Sequence, residues 1–354
     1  FGWFGLGSRP GNPAVPNPRC RPCAKRENAV RRILRFALWS MFALMAPAGA
    51  LFWHFVYTPA PDIPRLSGRL MHEAIAWGGR TRTYLVYAPR GLRKSAPLVV
   101  ALHGSGGTGA QLRMEIGYGL DRLAEEHGFA VAYPDGYDGY WNACNIAGDY
   151  SANTLDIDDV GFVGAMIDKL AAEIGIDRAR VFAAGVSRGG HMAFRLALEA
   201  PLRFRAVAAV SANVPAPENF KCRPAAQGTP SVMIMNGTED PLNPFAGGDA
   251  RLLGLFMGRG RVLSSRESGQ YFADRNGIAG APRAGQTRTA GGIRVEQFLW
   301  RNGAGSEVEL LAIHGGGHGM PQPYRRAQRI LGPSLREPDG PAVIWAFFAR
   351  QPPR

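Results

Sequence analysis

Three side chains in this sequence could together turn a hydroxyl into a nucleophile. Ser187 sits in Gly185-Val186-Ser187-Arg188-Gly189-Gly190, a G-x-S-x-G pattern. A serine hydroxyl attacks poorly at neutral pH unless a base takes its proton and an acid orients that base. Asp240 closes Asn236-Gly237-Thr238-Glu239-Asp240, and His318 follows a glycine run in His314-Gly315-Gly316-Gly317-His318. The chain order is serine, acid, histidine, the order of hydrolases built on a strand–turn–helix nucleophile turn. We read Asp240 as the orienting acid and His318 as the general base. Glu239 and Asp249 are rival acids and His314 is the rival base. Attack on an acyl carbon also needs donors for the oxyanion. The main-chain N–H of Arg188, next after the serine, is one candidate. The N–H of Ser105 in His103-Gly104-Ser105-Gly106-Gly107 is the other. A phosphate-binding reading of that glycine-rich loop lacks the Lys-Ser/Thr of a P-loop.

The surrounding elements decide whether these groups can meet. Arg180-Val181-Phe182-Ala183-Ala184 is short and apolar and predicts a buried strand, and His191–Leu198 has helical spacing. The glycines at 185 and 189 suit a turn so tight that a Cβ would meet the crossing strand and helix. Further apolar runs predict strands at 81–87, 97–102, 129–133, 206–210, 231–235 and 308–313. Helices are expected over 111–127, over 160–174 behind an Asp158 or Asp159 cap, and over 341–349. Residues 137–154 form a polar, aromatic loop over the site, and 241–261 a long glycine-rich connection. Strands alternating with helices predict an α/β fold with a doubly wound, mainly parallel sheet. Its loops after the strand carboxyl ends would hold Asp240 and His318. The histidines show no H-E-x-x-H or comparable metal spacing, so neither metal nor cofactor is expected.

Charge divides the chain. Residues 1–65 carry 9 Lys/Arg against 2 Asp/Glu, and the remainder 32 against 26. No basic patch interleaves with aromatics, so nucleic acid is not an expected partner. Residues 1–30 are rich in Gly, Pro and Arg and read as a disordered basic segment. Residues 31–57 come next, basic at the start and then apolar for long enough to cross about 30 Å of hydrocarbon. The preceding arginines orient the segment with its N-terminus in the cytoplasm and the large domain outside. It is an uncleaved signal anchor, or a signal peptide cut near Ala46-Pro47-Ala48. Residues 58–65 are a Pro-rich linker, and the catalytic domain spans 66–354. Cys20 and Cys23 make half a zinc site at most. Cys144 and Cys222, the two cysteines of the outer domain, would pair in an oxidising compartment.

Several short motifs occur together in one order: Leu102-His103-Gly104, Tyr133-Pro134-Asp135-Gly136, Trp141-Asn142, Asp158-Asp159-Val160-Gly161-Phe162, the Ser187 turn, Gly237-Thr238-Glu239-Asp240 and Gly315-Gly316-Gly317-His318. Over roughly 66–350 they make the chain resemble the polyhydroxybutyrate depolymerase and feruloyl/acetylxylan esterase family of α/β-hydrolases. The resemblance implies an α/β-hydrolase fold, secretion, ester hydrolysis and a Ser187–Asp240–His318 triad acting on an ester substrate that can be polymeric. Three positions depart from the family pattern. Arg188 stands where a small or polar residue is usual, Asn236 where a histidine is frequent, and Met320 where a tryptophan is frequent. Two alternatives stand beside an exported esterase: an envelope acyltransferase using the same triad, and a non-catalytic envelope binding protein on a hydrolase fold.

Overall fold

A computed structural model of the protein describes residues 21–226, 228–251, 258–285, 287–301 and 305–353, the side chains of 21–29 and 290 aside. The chain divides into two compact units, Phe1–Phe55 and Val56–Arg354. In the first, helix α1 (Arg21–Phe55) contains the apolar stretch Val30–Phe55, 26 residues long and sufficient to cross a membrane. Pro47 of the candidate cleavage site lies within this helix. Residues 1–20 of the basic segment, with Cys20 and the Cys23 side chain, fall outside the described residues.

The second unit is built on one sheet. Its strands are β1 (Arg69–Trp77), β2 (Arg80–Ala88), β3 (Ala96–Leu102), β4 (Ala130–Pro134), β5 (Ile176–Val186), β6 (Ala206–Val210) and β7 (Ser231–Gly237), then, after the small hairpin β8 (Gly248–Asp249) and β9 (Arg261–Val262), β10 (Arg283–Ala284), β11 (Arg288–Ala290), β12 (Ile293–Arg301) and β13 (Glu307–Ile313). The spatial order is β1-β2-β4-β3-β5-β6-β7-β13-β12-β10, with β11 also on β12. From β4 to β13 the pairs are parallel; the strands at both ends are antiparallel. The predicted doubly wound, mainly parallel sheet is therefore present. The sheet extends at both ends beyond the expected strands, through β1 and β12.

Side chains alternate across the sheet, and each face is covered. On β5, Val181 and Ala183 join one core with Phe162, Met166 and Leu170 of α5 (Asp159–Ile174) and with Met192, Phe194 and Leu196 of α6 (Arg188–Glu199). Phe182 and Ala184 join the other with Leu112 of α2 (Gly109–Glu115), Leu120 of α3 (Gly119–His127) and Phe347 and Phe348 of α8 (Gly340–Ala349). β5 is thus the middle of a three-layer sandwich, and the turn at its carboxyl end is rigidly mounted.

Two expectations need correction. The single helix over 111–127 is two helices, α2 and α3. Gly117 and Tyr118 between them have φ of +61° and +57°. A Cβ on Gly117 would lie 2.5 Å from Tyr324, so the chain turns where another segment packs close. The break lets buried Asp121 meet Arg113 at 2.5 Å and the Tyr133 hydroxyl at 2.7 Å. The loop 137–154 is not wholly irregular, since α4 (Ser151–Thr154) closes it. The remaining helix, α7 (Ser265–Arg275), starts with a reciprocal Ser264–Glu267 capping box.

Cys144 and Cys222 form a disulfide, their Cα atoms 4.8 Å apart across a sequence separation of 78. Closing a loop of that length stabilises by about 4 kcal/mol in the chain-entropy account. Reduction should therefore lower the melting temperature by roughly 10 °C, read by thermal denaturation with and without reductant, with the Cys144→Ser/Cys222→Ser double variant matching the reduced protein. Identical melting curves would show that the bond constrains little.

Candidate active site

The turn between β5 and α6 carries Ser187 at φ 56°, ψ −118°, a region that non-glycine residues occupy only under constraint. The constraint is visible. A Cβ on Gly185 would lie 2.1 Å from the Gly189 carbonyl, and one on Gly189 would lie 2.1 Å from the Leu102 carbonyl at the end of β3. The two glycines let α6 cross against β3 and β5 with no side chain between. Ser187 N–H donates to Val210 O at 2.8 Å, tying the turn to β6. The serine thus stands at the carboxyl end of the central strand, at the N-terminus of α6.

Asp240 and His318 arrive from β7 and β13, two and three strands along the sheet from β5. Asp240 follows β7; its Oδ1 accepts from the N–H groups of Leu242 and Asn243, both at 2.8 Å. His318 follows β13, and its loop is pinned by His318 N–H to Leu331 O at 2.7 Å and by Gly319 N–H to the Ser211 hydroxyl at 2.8 Å. The imidazole Nδ1 lies 2.8 Å from Asp240 Oδ2 and 3.0 Å from Oδ1. Both residues are buried. The rivals are elsewhere, and Glu239 is exposed. Asp249 is exposed and faces Arg251 at 3.7 Å, and His314 lies 3.2 Å from Glu296. Ser187 and His318 line one cleft of about 430 Å³. No hydrogen bond joins them in this structure. Instead Ser187 Oγ accepts from Arg259 Nη1 at 3.5 Å. Catalytic contacts of this kind are commonly long before substrate binds.

The candidate oxyanion donors flank the serine. Ser105 lines the same cleft. The hydrogen bonds of its turn use the N–H groups of Gly106 and Gly107 and leave that of Ser105 unused. Arg188 is the first residue of α6, where an N–H has no intrahelical acceptor. His103 is structural: its Nδ1 donates to Gly104 O at 2.7 Å and its Nε2 accepts from Gly136 N–H at 2.8 Å. That bonding holds the Ser105 loop against 133–136. The sequence motifs around it form one buried assembly. Arg82 pairs with Asp159 at 2.7 Å, Asp159 accepts from Asn142 N–H at 2.7 Å, and Trp141 Nε1 donates to His103 O at 2.9 Å.

The three departures also find places. Arg188 is fully buried and donates to Trp141 O at 2.8 Å, to Asn145 Oδ1 and to Asn153 Oδ1 at 2.6 Å, with Tyr150 on its face. Burial lowers its pKa to about 10, so the guanidinium stays charged at neutral pH. Asn236 satisfies Ala212 N–H and O, Asn213 and Ser265, a wholly structural set. Met320 lines the cleft. Sequence reasoning missed Arg259. Nothing in its spacing singles it out, since it lies in the glycine-rich connection.

Known proteins share this chain's sequence family and its fold. A family model described as esterase PHB depolymerase matches residues 82–242. "Putative esterase NocK" of Nocardia uniformis subsp. tsuyamanensis is 33% identical over 296 residues, covering 79% of this chain and 83% of that one. The chain belongs to the esterase PHB depolymerase family. The family makes it a carboxylic ester hydrolase. Feruloyl esterase C of Emericella nidulans is 27% identical over 75% of this chain and 83% of its own. Poly(3-hydroxyalkanoate) depolymerase C of Paucimonas lemoignei is 27% identical over 66% of this chain and 58% of its own. Acetyl xylan esterase from Aspergillus awamori shares the fold, with a TM-score of 0.51 at 17% identity over 71% of this chain and 94% of that chain. The architecture is the α/β-hydrolase fold.

His191, in the first turn of α6, is buried beside this site. Neither ring nitrogen has a well-formed hydrogen bond. Burial first, then Arg188, Arg259 and His318, lowers its pKa from 6.5 to about 3, against a weak raising contact with the Asn213 backbone. Its folded pKa is thus below its unfolded one. Unfolding takes up a proton below pH 6.5, and stability is lost as pH falls from there toward 3. The melting temperature of the protein should accordingly fall more steeply between pH 7 and pH 5 than that of His191→Leu. Parallel curves would mean that His191 does not titrate on unfolding.

Proposed function

We propose that this esterase works by acyl transfer through Ser187, with His318 as general base and Asp240 as its orienting acid. The observation that carries the reading is the bond between His318 Nδ1 and Asp240, 2.8 Å, in a cleft that Ser187 also lines. With Nδ1 donating to the carboxylate, Nε2 is left as the acceptor for the serine proton. The serine oxygen attacks the ester carbonyl and the oxyanion meets the N–H groups of Ser105 and Arg188. His318 then passes the proton to the leaving alcohol. Water, deprotonated by His318, releases the acid from the acyl-enzyme. The dipole of α6 opens onto the developing negative charge.

Feruloyl esterases and a poly(3-hydroxyalkanoate) depolymerase among the relatives support polysaccharide-linked acyl esters and hydroxyalkanoate esters as the substrate classes. The disulfide and the apolar helix Val30–Phe55 support work outside the cytoplasm, secreted or held at the membrane by that helix.

Hydrolysis of p-nitrophenyl acetate, p-nitrophenyl butyrate and methyl ferulate by the full chain tests the roles. Ser187→Ala and His318→Ala should each lower kcat about a millionfold, and Asp240→Asn about ten-thousandfold. Undiminished turnover in Ser187→Ala would remove the assignment. Transfer to an added alcohol in preference to water would favour the acyltransferase reading.

A further inference from the structure

Arg259 lines the cleft, meets the serine oxygen through Nη1, and has no part in the mechanism above. It lies two residues before β9, and its backbone is held on both sides. Its N–H donates to Ala250 O at 3.0 Å, and its carbonyl accepts from Asn219 Nδ2 at 2.9 Å. Asn219 is held in turn by the N–H groups of Ile146 and Ala147, both at 2.8 Å, close to Cys144. The guanidinium therefore projects from a fixed base.

Its surroundings are wrong for a structural cation. The residue is 7% exposed, yet among the described residues no carboxylate pairs with it. Nη1 reaches only the neutral Ser187 hydroxyl at 3.5 Å, and the buried Nε has no partner. A buried arginine is ordinarily paired, and the cleft that Arg259 lines is where a ligand would bring the missing counter-charge. The neighbouring groups add to the imbalance. Arg188, also buried, is met by neutral acceptors alone. Asp240, the acid of this cleft's His318, is committed to that histidine and to two backbone N–H groups. Arg325, also on the cleft, has Glu115 beside it, whereas no ion pair among the described residues involves Arg259.

We infer that Arg259 receives a carboxylate carried by the substrate itself, two or three bonds from the scissile ester. This rests on Ser187 being the nucleophile. In the acyl-enzyme the carbonyl carbon is bonded to Ser187 Oγ, so a group bound by a guanidinium 3.5 Å from that oxygen must sit close to the reacting carbon. The planar guanidinium suits a carboxylate, which can accept two parallel N–H bonds. Two ester types present this arrangement: half-esters of dicarboxylic acids, with the charge on the acyl side, and acylated hydroxy acids, with the charge on the alcohol side. Arg259 exchanges no proton in the reaction; it selects and orients the ester.

Matched pairs that differ only in an ethyl group for a carboxylate test this. Acid release in a pH-stat by the full chain is compared for monoethyl succinate against ethyl pentanoate, and for 3-acetoxybutanoate against 2-pentyl acetate. For at least one pair the wild-type ratio of kcat/KM, charged over neutral, should exceed one. It should fall at least tenfold in Arg259→Gln and recover in part in Arg259→Lys. The pair that responds tells which side carries the charge. A wild-type ratio below one for both pairs, or a ratio unchanged in Arg259→Gln, overturns the inference. Calorimetric binding of monoethyl succinate and of 3-acetoxybutanoate to Ser187→Ala, with and without Arg259→Gln, reads the same site without turnover. At least one should bind tenfold or more weakly without the arginine, and unchanged binding of both overturns the inference. Failure of the wild type to hydrolyse any of the four esters would instead count against Ser187 as the nucleophile.

Discussion

The structure depends on one crowded crossing. α6 leaves β5 through Ser187, and at that point Gly189 lies against the end of β3 and against Gly185 with no room for a methyl group. The serine backbone is forced to φ 56° to make the turn. Such strain persists only where surrounding structure over-determines it. Here the two buried cores that sandwich β5 supply the force. The result is a side chain held at the carboxyl end of the central strand, with β13 and β7, further along the same sheet, delivering an imidazole and its carboxylate partner.

The residues around this crossing form shells that keep it fixed. His103 holds the Ser105 loop through two main-chain bonds. Trp141 and Asn142 connect that loop to the buried Arg82–Asp159 pair. Ser211 and Asn236 hold the loops behind the serine and histidine. The disulfide fastens the segment that presents Asn145 to Arg188. Positive charge accumulates as a result. Arg188 and Arg259 stand buried near the serine, and His191 is kept neutral between them and His318.

Much of this was legible in the sequence because it depends on short-range chemistry. A strand ending in small residues, a Gly-x-Ser-x-Gly turn and a helix define the crossing without tertiary knowledge. Asp240 and His318 each come after an apolar run, which is how a parallel sheet delivers loops to one edge. Oxidising-compartment logic paired Cys144 with Cys222. The features that stayed hidden depend on long-range packing. The break between α2 and α3 comes from Tyr324, some 200 residues away, crowding Gly117. β1 and β12 lie toward the ends of the sheet, half-exposed and mixed in composition. α7 carried a readable signal in Ser264-x-x-Glu267, a capping box ahead of a polar helix. Arg259 had none. One arginine in an arginine-rich chain acquires meaning only when the fold buries it against the serine.

The most direct test of the account is the site of covalent trapping. A fluorophosphonate reacts with a serine only where a base activates it and an oxyanion hole receives the phosphoryl oxygen. Peptide mapping by mass spectrometry after labelling should find a single adduct on Ser187, formed at least a thousandfold more slowly in His318→Asn. A folded protein that takes up no label, or labels at another serine at an undiminished rate in that variant, would contradict the assignment of this turn as the centre of the chemistry.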